Sequence, residues 1–471
     1  MTAASSLGEG NALNLVVTNP FNQQTVCELP FHTALEVEDA VDLASAAQAR
    51  WARLPLAERC RQVRAGLDRF RTLADQVARD VTRQMGKPLK QAQGEFNTMC
   101  DRAEYMLSIA EEALRPDILP EKSNFVRRIE HVPLGVVFNI AAWNYPLLIP
   151  INVVVPALIA GNSVLLKHSA KTPLVGKHFA EAFSGLEVPN LVTNLLLKHD
   201  ATARLIAHHG VDHVAFTGSV DGGREVYRHT AERFIDAGLE LGGKDPAYVA
   251  EDADLDYAVA NIVDGACYNA GQSCCAVERA YVHHALYAQF LEKAKAALEA
   301  YVLGDPLDAA TTMGPLASRN APKFLESQTQ EAIQRGARLL TGGKPLADHP
   351  GNFFQPTLLA DVPNHAAVMQ EESFGPILPV LSVRDDDEAI RLMNDTRFGL
   401  TASVWTSSLE RAERFGREVH AGTIYQNRCD YIDPAQPWTG WGDSGKGSTM
   451  SKYGFFHLTK RKAIHFRTST K

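Results

Sequence analysis

The first third of the chain carries apolar residues at helical spacing. Val37, Ala40, Val41 and Ala44 recur at intervals that put them on one stripe of a helix. The stretch from 36 to about 115, rich in Ala, Leu, Arg and Glu, therefore reads as a run of helices. Pro55 interrupts it, Gly86-Lys87-Pro88 interrupts it again, and it ends near Arg115-Pro116. From Val136 to about Val249 the pattern changes to short apolar runs separated by helical spacers. The runs are Val136 to Ile140, Ser163 to Lys167, Val192 to Leu196, Val214-Ala215-Phe216 and Ala247-Tyr248-Val249. Such alternation predicts an α/β protein with a parallel, doubly wound sheet, whose ligands gather beyond the carboxyl ends of the strands. Asn144, Lys167 and Ser219 all fall there. A second strand-helix series runs from about Asp254 to Gln426, with Gly304-Asp305-Pro306 and Gly342-Gly343-Lys344 as surface turns.

Two segments qualify this picture. Between Val132 and Leu166 no residue is charged, a length that would suit a membrane span. Pro133, Pro146, Pro150 and Pro156, with Asn144, Asn152 and Asn162, would leave polar groups unsatisfied in lipid. The segment reads instead as a buried strand, a helix from about Pro146 to Ile159, and the next strand. Ser123 to Val132 alternates as a strand, and with the basic stretch Lys460 to Arg467 it suits either an ordinary edge or an intersubunit one.

At 471 residues the chain has room for two or three domains and a cleft between them. With 22% charged residues and a net charge of −8, it offers no broad basic surface for nucleic acid or an acidic membrane. The cysteines at 27, 60, 100, 267, 274, 275 and 429 are odd in number and lack CxxC spacing, which suits a reducing, cytoplasmic compartment. Met1-Thr2-Ala3-Ala4-Ser5-Ser6 has neither the basic start nor the apolar core of a secretory signal. His208-His209 and His283-His284 have no Cys, Asp or Glu at ligand spacing, so no metal site is expected.

The candidate chemistry centres on Asn269-Ala270-Gly271-Gln272-Ser273-Cys274-Cys275-Ala276. Taken alone, the two thiols read as buried small hydrophobes. Phe216-Thr217-Gly218-Ser219, Glu240-Leu241-Gly242-Gly243-Lys244 and Ala142-Trp143-Asn144-Tyr145-Pro146 change that reading. An aldehyde loses hydride readily only after a nucleophile has added to its carbonyl, and Cys274 is the candidate. The resulting oxyanion needs preorganised donors, which the Asn144 carboxamide and the Cys274 amide would supply. Releasing a thioester needs a base, and Glu240, between Leu239 and Leu241, is placed for a pKa raised by burial. Singly, Glu240 is also an ordinary strand-end carboxylate and Asn144 a turn-forming amide. No Gly-x-Gly-x-x-Gly follows any strand; the nearest feature is Gly218 to Gly223, opening a helix whose amides could receive a phosphate.

In this order, and with Glu371-Glu372-Ser373-Phe374-Gly375-Pro376 and the basic last strand, these stretches resemble the aldehyde dehydrogenase superfamily along the whole chain. The resemblance implies a Rossmann-like cofactor domain (1–122 and 133–249), an α/β catalytic domain (250–427) and a small β oligomerisation arm (123–132 and 455–471). It implies Cys274 as nucleophile, Glu240 as base and Asn144 as oxyanion donor. Lys167 joins that group and also serves as a ribose ligand. Ala141, Trp143, Ser169, Ala170, Gly218, Ser219, Gly223, Leu241, Glu372 and Phe374 would surround NAD or NADP. Tyr145, Leu148, Asn152, Ser273, Ile432 and Trp438 would line the path of a small aldehyde, with Arg428 as a clamp for an anionic far end or, equally, a surface partner of Asp430. Cys275 has no implied role. A homodimer or homotetramer is implied.

One departure is the loop after Leu196, often glycine-rich in the family, which reads Leu197-Lys198-His199-Asp200. Another bears on the cofactor. NAD-preferring members often carry a glutamate three residues after the lysine, and here that position is Ala170, beside Lys171. Dual use of NAD and NADP is therefore the expectation. The rival class is a thiol hydrolase, an acyl-transfer enzyme or a non-catalytic binding protein on the same scaffold. None of these needs Lys167, Ser219, Glu372 and Phe374.

Overall fold

A computed structural model describes residues 13–347 and 349–470 of the chain. The stretch Met1 to Ser6 lies outside them. Four helices follow an N-terminal hairpin (Asn14–Thr18 with Thr25–Pro30): α1 (Ala34–Trp51), α2 (Leu56–Thr72), α3 (Ala74–Met85) and α4 (Leu89–Ala113). The start of α1 is fixed by a capping box, in which Thr33 and Glu36 satisfy each other's backbone N–H groups. Gly86 closes α3 at φ +84°, and a side chain there would strike the Pro315 carbonyl, so the break foreseen at Gly86-Lys87-Pro88 needs glycine.

The first sheet has six strands in the order Gly445–Lys446, Ala237–Glu240, His213–Thr217, Val136–Ile140, Ser163–Lys167, Val192–Asn194. All neighbours are parallel except the Gly445–Lys446 edge. Helices α5 (Leu148–Ala160), α6 (Pro173–Phe183), α7 (His199–Ile206) and α8 (Val220–Ala231) connect its strands. Successive residues of a strand face opposite ways, and the two faces find different partners. Val137, Val164 and Leu166 join α2, α4, α5 and α6, whereas Val136, Phe138 and Leu165 join α1, α7 and α8. The sheet is thus doubly wound, as the alternation predicts, except that Ala247-Tyr248-Val249, expected as one of its strands, pairs instead with Val277–His283 and Thr401–Trp405 in a second sheet.

Register explains the site's position. Ile140 pairs with Lys167 and with Phe216, and Thr217 pairs with Glu240, so four strands end level along one edge. The segments that follow them, Ala141 to Asn144, His168 to Lys171, Gly218 to Ser219 and Leu241 to Gly243, emerge there together.

Helix α9 (Leu255–Cys267) leads into a seven-stranded sheet with its own core. Its order is Arg338–Thr341, Thr357–Ala360, Ile377–Val383, Val277–His283, Asp245–Val249, Thr401–Trp405, Thr423–Gln426, parallel apart from the first pair. The last strand, Thr459–Arg467, pairs antiparallel with Phe125–Pro133 along nine residues, and Asp117–Ile118 lies on the far side of Phe125–Pro133. This ribbon leaves Val126, Phe466 and Ile118 exposed. Among the described residues, no helix is long and apolar enough to cross a membrane.

Candidate active site

The chain reverses direction just before the thiols. Asn269, Ala270 and Gly271 stand in succession at φ 53°, 56° and 71°. For an L-residue this left-handed region costs roughly 1–2 kcal/mol, so something must hold Asn269 and Ala270 there. Asn269 Nδ2 donates to the carbonyls of Asn144 (3.0 Å) and Gln272 (3.1 Å). Gln272 returns a bond to the Asn269 carbonyl (3.0 Å) and accepts one from the Ala317 amide (2.9 Å). A side chain at Gly271 would lie 2.4 Å from the Gly375 carbonyl, so backbone approach requires the glycine. Beyond this turn Cys274 is half-buried and Cys275 buried.

The Asn144 turn is fastened from the helical third of the chain. Lys87 Nζ donates to the Asn144 carbonyl at 2.8 Å and lies 4.2 Å from the centre of the Tyr145 ring. Lys87 pairs with Glu95, both side chains being buried. Glu95 Oε1 accepts from the amides of Leu147 (2.8 Å) and Leu148 (3.3 Å). A carboxylate from α4 thus caps α5, which begins at Leu148, two residues later than Pro146. Asn144 is buried, its carbonyl is doubly used, and its carboxamide is left without a partner among the described residues.

Glu240 ends its strand with both oxygens engaged: Thr217 Oγ1 donates to Oε2 at 3.0 Å and Thr449 Oγ1 to Oε1 at 2.6 Å. Burial raises its pKa above the ordinary carboxylate range, while the two hydroxyls act in the opposite direction. Glu240 and Cys274 line one cavity of about 350 Å³, together with Tyr145, Leu148, Asn152, Ile432 and Trp438.

On the other side of the strand ends, Ser219 caps α8, its Oγ accepting from the Gly222 amide at 3.2 Å. Side chains at Gly218 or Gly222 would collide with the Phe216 ring, and one at Gly223 with Leu241, so bare backbone surrounds this helix start. The buried pair Lys244–Glu278 holds the opposing turn, with Glu278 accepting from the amides of Ser373 (2.7 Å) and Phe374 (2.8 Å). That sets Phe374 edge-on to Trp143, ring centres 5.5 Å apart. Glu372 accepts from the Gly243 amide at 3.0 Å. Burial and the Glu278 charge push its pKa up to about 8. Lys171 Nζ stands 5.6 Å over the Trp143 ring. A helix start free of side chains, a half-buried carboxyl group able to hydrogen-bond hydroxyls, and a flat aromatic wall fit a dinucleotide.

The family model of the aldehyde dehydrogenase family matches residues 9–464. The chain belongs to that family. It is 34% identical over 465 residues to an NADP(+) succinate-semialdehyde dehydrogenase of Deinococcus radiodurans, covering 98% of this chain and 97% of that one. A 3,6-anhydro-alpha-L-galactose dehydrogenase of Streptomyces coelicolor is also 34% identical, over 458 residues, with 96% and 93% covered. Among solved structures, the lactaldehyde dehydrogenase of Escherichia coli superposes with a TM-score of 0.93 at 31% identity, covering 98% of this chain and 97% of that one. The chain is thus an aldehyde dehydrogenase by family.

Within this aldehyde dehydrogenase the structure departs from the sequence expectations at two residues. Ser273 is buried behind the cavity and bonds Asp430 at 3.0 Å. Arg428 is exposed, its guanidinium 3.3 Å from the centre of the Tyr431 ring, and does not line the cavity. A planar cation on an aromatic face is satisfied there. It pairs neither with a ligand position nor with Asp430, whose carboxylate serves Ser273 and Cys275. Conversely, Arg102 of α4 and Asp430 line the cavity without having been singled out. The available signal for Arg102 was its spacing: with Glu95, Met99 and Met106 it forms one buried stripe of α4, where a cation is out of place.

Proposed function

We propose that the chain oxidises a small aldehyde to its carboxylic acid through a covalent bond to Cys274. The observation that carries this is the single cavity shared by Cys274 and Glu240, opening where the strand ends of the first sheet converge. The Cys274 thiolate adds to the carbonyl carbon, forming a C–S bond and leaving the oxygen negative. The Asn144 carboxamide, which has no other partner among the described residues, and the Cys274 amide stabilise that oxygen. NAD(P)+, when bound, would supply the acceptor for the hydride leaving that carbon. What remains on Cys274 is a thioester. Glu240 takes a proton from water, the oxygen attacks the thioester carbon, the C–S bond breaks and the thiolate is restored.

Glu372 and Lys167 would hold ribose hydroxyls, and Gly218 and Ser219 the pyrophosphate at the start of α8. Ala141, Trp143, Ser169, Ala170, Gly223, Leu241 and Phe374 would form the surrounding wall. The absence of a carboxylate at Ala170 supports use of both NAD and NADP. We read the two sheets and the ribbon as the cofactor domain, catalytic domain and arm expected from the resemblance, with Asp245–Val249 counted to the catalytic domain because it lies within the seven-stranded sheet. The ribbon's exposed Val126 and Phe466 support a homodimer or homotetramer, and the free thiols support a cytoplasmic setting.

The test is growth of absorbance at 340 nm with NAD or NADP and a panel of short aldehydes. Release of acid from a thioester or ester substrate, with no cofactor reduction by any aldehyde, would leave only thiol hydrolysis.

A further inference from the structure

The cavity beside Cys274 contains a cation that no carboxylate among the described residues pairs with. Arg102 projects from α4, is 6% exposed and lines the cavity. Its guanidinium carries five N–H donors. One reaches Asn152 Oδ1 at 3.4 Å, the long limit of a hydrogen bond, and the buried Nε has no partner among the described residues. A buried charge in that condition is costly unless an anion arrives to meet it.

Among the described residues none of the cavity's carboxylates, Glu95, Glu240, Asp264 and Asp430, forms an ion pair or hydrogen bond with it, although the Glu240 and Glu95 charges act on it through space, and three of the four are already served. Glu240 is held by Thr217 and Thr449, Asp430 by Ser273 and Cys275, and Glu95 by Lys87 and the amides of Leu147 and Leu148. Asn152, whose oxygen faces Arg102, has an amide nitrogen left to donate from the same wall of α5.

We propose that Arg102, with Asn152 beside it, receives the carboxylate of an ω-oxo acid whose aldehyde lies at Cys274. This rests on the reading of Cys274 as nucleophile and adds the substrate's far end to it. The guanidinium fork matches a carboxylate in two parallel hydrogen bonds, a geometry that no alcohol or alkyl end reproduces. A cavity of about 350 Å³ confines the substrate to a short chain.

The experiment compares succinic semialdehyde with butanal, which has the same four carbons without the carboxylate. Wild type favours the semialdehyde in kcat/KM. In Arg102→Met the ratio of the two kcat/KM values falls at least roughly thirtyfold, the loss appearing in KM for the semialdehyde. Arg102→Lys recovers part of it, since a point charge remains. A ratio within threefold of wild type in Arg102→Met, or a wild type indifferent to the carboxylate, overturns the assignment. Oxidation of butanal by wild type reports on Cys274 chemistry separately; its complete absence together with that of the semialdehyde would count against the catalytic reading instead. Should Arg102→Met fail to fold, Arg102→Gln and Arg102→Lys carry the same comparison.

Discussion

Cys275 donates its thiol hydrogen to Asp430 Oδ1 at 3.0 Å, the same oxygen that Ser273 engages. Hydrogen bonding with Cys274, burial and the Asp430 charge raise the Cys275 pKa well above the ordinary thiol value. Asp430 is itself pushed up to about 6 by burial. Cys275 is therefore held as a thiol, its sulfur committed to Asp430.

That commitment fixes the outcome of exchanging each sulfur. Cys274→Ala removes both steady turnover and any burst of reduced cofactor. Cys275→Ala stays active, within about tenfold of wild type, because it loses a buried contact and not a reacting atom. Rapid-mixing absorbance at 340 nm reads both. An inactive Cys275→Ala beside a functional Cys274→Ala would exchange the two roles.

Glu240→Gln acylates normally and stalls. The first turnover persists as a burst near one equivalent, while steady turnover falls on the order of 10²–10⁴-fold. The pH dependence follows from the direction of the pKa shift. Only the carboxylate form accepts a proton, so deacylation declines as pH drops through the raised pKa of Glu240. Thr449→Val removes a donor that favours the charged form, raising that pKa further and moving the acid limb to higher pH. A limb that stays put or moves down contradicts the role of Thr449.

Cofactor choice is tested at Ala170. A carboxylate within ~4 Å of a 2′-phosphate costs about 1–4 kcal/mol at dielectrics from bulk water to near-surface protein, or roughly fivefold and upward. Ala170→Glu should lower kcat/KM for NADP by that factor relative to NAD. Lys171 is not spare solvent charge, since burial lowers its pKa and its ammonium sits over Trp143. Strong NAD preference in the wild type, unaltered by the substitution, would show that this position does not read the 2′ group.

Glu95→Gln leaves Lys87 as an uncompensated buried charge, and breaking such a pair costs roughly 3–5 kcal/mol. Denaturant unfolding should show a loss of that order. Turnover should fall further than stability alone explains, because the amides of Leu147 and Leu148 lose their acceptor next to Asn144.

Much of the fold could be read from periodicity, because strands buried on both faces are uniformly apolar and the spacers between them are helical. The thiol turn, the Glu240 strand end and the Asn144 turn were visible as local motifs, since glycine and amide side chains mark places where backbone approaches backbone. Asp430 and Arg102 were not. Each earns its position by a contact with a residue far away in the sequence, Asp430 with Ser273 and Arg102 with Asn152. Arg428 misled for the same reason. A cation two residues before Asp430 looks like its partner in one dimension, yet Tyr431 is the group it covers. The start of α5 was placed early because its cap comes from α4 and leaves no trace in the local sequence.

The fastening of the Asn144 turn also sets an order in time. Its bonds join residues separated by 57, 52 and 125 positions, from Lys87 to Asn144, Glu95 to Leu147 and Asn144 to Asn269. None can form until large loops have closed, and such contacts come late in folding. During synthesis the Asn144 turn leaves the ribosome with Lys87 and Glu95 already made, but its third anchor, Asn269, follows only with the thiols. A growing chain therefore carries Cys274 and Cys275 well before Asp430, the acceptor that sets Cys275 apart from its neighbour, has been made.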